Sequence, residues 1–140
     1  MTTYHTLYQY RIVSVRASGK ADAVKFFNDN YSPIYSDYTN DEVFCDKDKC
    51  SKKDAGYVVK KIVFVPLGGN PKVTTYYAVN YTHATIITMR LATRLGKGRT
   101  QAKSIKSDGC LHYSLSTEDT LNGVPQRCVD IMFYPNKGAL

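Results

Sequence analysis

The feature that most constrains this chain is a stretch without acid. Between Ala55 and Ser107 there is no Asp or Glu, while Lys60, Lys61, Lys72, Arg90, Arg94, Lys97, Arg99, Lys103 and Lys106 all fall inside it. Two β-branched, apolar runs occupy its first half. Residues 57–65 (Tyr-Val-Val-Lys-Lys-Ile-Val-Phe-Val) read as one strand, closed by Pro66, which cannot donate to a ladder. After a turn at Gly68-Gly69-Asn70-Pro71, a second strand starts at Lys72. Its odd positions Val73, Tyr77 and Val79 are apolar, and its even positions Lys72, Thr74, Tyr76, Asn80 and Thr82 are mainly polar. A period of two with one polar face describes a half-buried antiparallel strand, expected to run to about Ile87. A helical stripe through Ala84, Ile87, Leu91 and Leu95 competes for residues 84–95, with Thr82 as N-cap and Gly96 beyond the end.

The rest of the chain supports an α+β, strand-dominated class: an antiparallel sheet with a long central hairpin and one or two short helices. Residues 4–16 alternate as a strand, and Ala21 to Phe27 form a short helix. Residues 28–40 read as a loop anchored by Tyr31, Ile34, Tyr35 and Tyr38, and 42–45 as a brief strand. The basic segment 96–107 reads as a loop. Cys110 to Leu115 and Arg127 to Tyr134 read as a strand pair around a turn at Asn122-Gly123, which would set Cys110 near Cys128. At 140 residues, a single domain 1–140 is expected.

The formal charge is +7, which favours a polyanionic partner. The first residues have neither the basic n-region nor the apolar h-region of a secretory signal, and no run is long enough to span a bilayer, so the expected location is a virion or the cytoplasm, with no membrane partner. In a reducing compartment, Cys45, Cys50, Cys110 and Cys128 are free thiols. A zinc set could be drawn from these and His112, but the paired two-residue spacing is absent, so no metal or cofactor is expected. His5, His83 and His112, with Glu42 or Glu118 and Arg127, offer material for a nuclease. No phosphate loop, nucleophile elbow or zinc-protease helix accompanies them, and the chain reads as non-enzymatic.

The expected interface is therefore the even face of the second strand, Lys72, Thr74, Tyr76, Asn80 and Thr82, beside Lys60 or Lys61, continued by the tail Arg90, Arg94, Lys97, Arg99, Lys103 and Lys106. Ammonium groups suit phosphates, and hydroxyls and amides suit sugars and base edges. The hairpin resembles the long antiparallel strands of coat proteins of single-stranded RNA bacteriophages. That resemblance implies a sheet face meeting genomic RNA and a homo-dimer or larger assembly of a capsid subunit. Leu7-Tyr8, Arg11-Ile12 and the run from Leu95 to Ile105 are similar to a eukaryotic large-subunit ribosomal protein, which implies RNA binding by a single copy. The expected function is a structural, RNA-binding coat subunit, with apolar surfaces such as the N-terminal tyrosines joining copies; a ribosomal-type RNA binder or a small nuclease are the alternatives.

Overall fold

The computed structural model describes residues 1–31, 36–66, 68–97, 99–106, 108–117, 120–125 and 127–137. Ile34, Tyr35, Leu67 and Glu118 lie outside the described residues. The chain is α+β and strand-dominated, and it forms two compact units, residues 1–49 and 50–140. Among the described residues, no helix is long and apolar enough to cross a membrane.

In the first unit, the segment expected as one strand is a hairpin. β1 (Thr2–Tyr8) pairs antiparallel with β2 (Arg11–Ala17), Thr2 opposite Ala17 and Tyr8 opposite Arg11. The chain reverses on Gln9 and Tyr10, with φ of 50° and 65°. Two successive left-handed residues make the hairpin turn whose twist matches its strands, a geometry usually announced by Asn or Gly. α1 (Lys20–Asn30) covers the expected helix and extends it by a turn, and β3 (Phe44–Cys45) adds to β1. Val13, Ala17, Ala23, Phe27, Tyr38 and Val43 form the core, with Tyr4 and Tyr8 packed against it. Those two tyrosines thus serve the unit itself, while Tyr10 at the hairpin tip is 95% exposed.

The second unit is a five-stranded antiparallel sheet under one helix. β4 (Tyr57–Val65) and β5 (Gly68–Ala78) form the central hairpin. α2 (Tyr81–Leu95) follows, then β6 (Arg99–Ile105), β7 (Leu111–Thr117), the small hairpin β8 (Thr120–Leu121) and β9 (Val124–Pro125), and β10 (Cys128–Pro135). The strand order is β5-β4-β10-β7-β6, so the last strand is the middle of the sheet. The Asn122-Gly123 turn joins β8 to β9 as expected, with φ of 54° and 80°.

Four expectations change here. Val65 pairs with Gly68, so the Gly-Gly-Asn-Pro segment expected as the turn becomes the bulged start of β5. Three residues on β4, Val63 to Val65, span five on β5, Lys72 to Gly68; Gly69 at φ 84° and Pro71, which has no N–H, fit that irregular edge. The second strand stops at Ala78 and the helix takes over. The basic segment after Gly96 is a strand, β6, at the far edge of the sheet. Cys110 and Cys128 are not neighbours: Cys128 stands opposite Ser116, and Cys110 precedes the other end of β7.

Candidate nucleic-acid interface

Register decides which residues share a face, because residues directly opposite one another point the same way. One line across the sheet runs Tyr76, Val59, Phe133; the next runs Thr74, Lys61, Ile131, Tyr113, Lys103; a third runs Lys72, Val63, Val129, Leu115, Gln101. Val59, Phe133, Ile131, Tyr113, Val129 and Leu115 are buried in one cluster with Ala84, Leu91 and Ala92 of α2. These lines therefore lie on the side that α2 covers. The expected parity is reversed: the even positions of β5 face the helix side, and Val73, on the other side, is 51% exposed. Lys61, opposite Thr74, is the lysine that joins them. Lys60 lies on the other face and donates to Thr75 Oγ1 at 2.8 Å.

α2 begins where Asn80 leaves extended backbone and its Oδ1 accepts the His83 N–H at 2.9 Å. His83 Nδ1 in turn accepts the Val79 N–H at 3.2 Å. Asn80 is thus the N-cap and Thr82 belongs to the first turn, so neither extends a sheet face. Ala84, Leu91, Ala92 and the partly buried Leu95 give the stripe that meets the sheet, small residues letting the helix approach closely. Arg90 and Arg94, four apart, share another side of the helix. At its end, Arg99 Nη1 donates to the Leu95 carbonyl at 2.6 Å, a cation placed on the negative end of the helix dipole.

The helix leaves both margins of this face open. On one side stand Lys72, exposed, and Lys61, half-buried; on the other stand Arg99, half-buried, and Gln101 and Lys103, both exposed. Arg94 and Lys97 are exposed at the helix end, and Arg90 is half-buried. The Lys103 ammonium lies 6.0 Å from the centre of the Tyr113 ring. Four strand spacings separate β5 from β6, roughly 19 Å, with α2 between them. No carboxylate lies on α2 or on the α2 side of the five strands; Asp130, the single acid in those strands, points to the opposite face, 3.6 Å from His112 Nε2. Lys106 is less free, because it neighbours Asp108, whose carboxyl is held below its usual range mainly by the Cys110 backbone N–H, with Lys106 contributing.

Charge follows the division into units. Residues 1–49 carry six Lys or Arg against seven Asp or Glu, and residues 50–140 carry thirteen against five. The basic excess of the chain thus belongs to the second unit, where Lys61, Lys72, Arg99 and Lys103 lie on the α2 side of the sheet and Arg90, Arg94 and Lys97 on or at the end of α2. Sequence reasoning missed Gln101, which sits between Arg99 and Lys103 on the same margin; with residues 101–105 exposed on both faces, no apolar period marked it.

The residues considered for catalysis are dispersed. In the first unit, His5 Nδ1 lies 2.6 Å from Ser14 Oγ and its Nε2 3.2 Å from Asp46 Oδ1. Glu42 Oε1 accepts the Thr39 N–H. In the second unit, His83 completes the helix cap, His112 lies on the face away from α2, and the Arg127 N–H meets Thr117 Oγ1. Among the described residues no group of three or more His, Cys, Asp or Glu side chains is gathered as a metal set. The fold and this face define a strand-dominated α+β protein with one cationic side. Comparison with protein-family models, with curated proteins and with solved structures finds no match for the chain.

Proposed function

We propose that the protein is a non-enzymatic structural subunit of an RNA-containing assembly, a small coat protein that holds genomic RNA along the α2 side of its second unit. The observation that carries this reading is a face with no acid among the described residues, bearing exposed Lys72, Arg94, Lys97 and Lys103. A single exposed cation is worth little in water. Several within about two Debye lengths, with no anion among them, sum to a potential that attracts a polyanion and releases its counterions. Phosphate contacts position a nucleic acid without reading its sequence, which is what packaging a long genome requires. Thr74 and Gln101 supply neutral hydrogen-bonding groups beside the lysines, suited to sugar hydroxyls and base edges.

Size-exclusion chromatography of the expressed protein, read as absorbance at 260 and 280 nm, tests the proposal. Large nuclease-protected particles support a coat subunit. A small nucleic-acid complex that nuclease strips would instead favour a single-copy RNA binder. A nucleic-acid-free protein with no salt-dependent affinity for RNA would refute both.

A further inference from the structure

The face of the five-stranded sheet away from α2 has a different composition. Ile62 and Phe64 of β4, Val73 and Tyr77 of β5, and Met132 and Tyr134 of β10 all point to it, by the register that places Ile62 opposite Val73 and Met132 opposite Lys60. Val73 is 51% exposed, and the other five are half-buried although large. β7 and β6 complete the face with His112, Ser114 and Ser104. An apolar centre beside a polar margin is the anatomy of a protein interface. Among the described residues of its strands the charged groups are Lys60 and Asp130, with His112 beside the latter, so the face is near neutral. A polyanion or an anionic bilayer finds no net attraction here.

We infer that this face is where a second copy of the chain docks, sheet against sheet. Complementarity selects the partner. Two α2 sides cannot approach, because both are cationic without acids. Two open faces can. A two-fold axis in the interface plane, running across the strands, lays β4 and β5 of each copy over the same strands of the other. Apolar centres then meet, and each Lys60 comes beside the partner copy's own acid on β10, making the contact self-complementary. The face measures roughly 19 Å across the strands and about 24 Å along them. Two such faces cover on the order of 900 Å² in plan, and interdigitating side chains raise this toward the ~1,200 Å² of specific dimers. The inference deepens the assembly part of the proposed function and rests on it, but not on RNA. Back-to-back pairing would leave both cationic sides outward, giving each dimer two RNA-binding faces.

The test is sedimentation equilibrium of the full chain after nuclease treatment, in 1 M NaCl, with the 260/280 ratio confirming bare protein, so that RNA-bridged association is not counted. The wild type is expected at twice the 15.7 kDa chain mass. Ile62→Glu with Val73→Lys, a cross-strand pair of opposite charges that keeps the sheet satisfied, should raise the dissociation constant at least ~10-fold with an unchanged circular dichroism spectrum. Lys60→Asp should weaken the dimer, and Lys60→Asp with Asp130→Lys should restore it. If the first pair does not fold, nitration of Tyr77 and Tyr134 in the wild type, slower in concentrated than in dilute protein, supplies the same answer. A monomeric wild type, or a dimer untouched by both sets of substitutions, overturns the inference. Loss of RNA binding with an intact dimer would refute only the RNA reading.

Discussion

Asn80 gives the sharpest separation between a binding residue and a structural one. Its sequence position suggested a polar sheet face; its geometry makes it the cap of α2. In Asn80→Ala the His83 amide N–H, on a residue only 2% exposed, loses the acceptor at 2.9 Å. An N-cap deletion costs about 1 kcal/mol, and a donor left buried without a partner moves that toward ~2 kcal/mol. Taking about 1.5 kcal/mol and a urea m value near 2 kcal/mol/M, the unfolding midpoint should fall by roughly 0.75 M. Asn80→Asp should be neutral or slightly stabilising, because a carboxylate both accepts the same bond and suits the positive end of the helix. RNA affinity, measured where both variants are folded, should not change for Asn80→Ala. An unaltered midpoint together with weakened RNA binding would show that the side chain projects to ligand, and the reasoning would fail.

Other consequences follow from the same packing. A Cβ on Gly56 would lie 2.7 Å from the Val79 carbonyl oxygen, which is backbone at the junction of β5 and α2. Gly56→Ala should therefore destabilise by about 1–3 kcal/mol, read by chemical denaturation. Burial, with Asp108 adding, pushes the Cys110 thiol up from 9.0 to about 11. The folded state then holds a proton that the unfolded state releases, so this contribution is complete below pH 9 and is lost as pH rises towards 11. Stability should fall across that window by roughly 2–3 kcal/mol, and the slope should flatten in Cys110→Ala. At pH 8 iodoacetamide should modify native Cys110 on the order of 100-fold more slowly than an unperturbed thiol, because so little thiolate is present.

Much of the fold was legible because strand patterns and turn chemistry are local. Residues 57–65 form β4 as read, Ala21 to Phe27 lie within α1, and Asn122-Gly123 turns a hairpin. What failed depended on tertiary context. β5 offers apolar residues on both faces, Tyr76 and Ala78 on one and Val73 and Tyr77 on the other. Counting apolar residues chose the wrong inner side, because the decisive residue is Ala78, fully buried and too small to weigh in such a count. The strand appeared to continue into α2 because Thr82, Thr85 and Thr88 are β-formers, and Asn80 became visible as a cap only with His83 beside it. β6 looked like a loop because an edge strand with exposed residues on both faces has no apolar period. Gln9-Tyr10 lacks the glycine or asparagine that marks its turn. The cationic site was legible in part: the acid-free stretch named the bases, but register, not sequence, separates Lys61 from Lys60 and brings β6 onto the same side as Lys72.

The central claim is that the α2 side meets phosphates. Its most direct test is fluorescence anisotropy of a labelled single-stranded RNA, titrated at several salt concentrations with wild type and with Lys72→Gln, Arg94→Gln, Lys97→Gln and Lys103→Gln combined. The account predicts a wild-type affinity that falls linearly with salt on logarithmic axes, and a slope shallower by about 0.7 for each cation removed, close to 3 in all. An affinity indifferent to salt, or a quadruple variant with the wild-type slope, would contradict it.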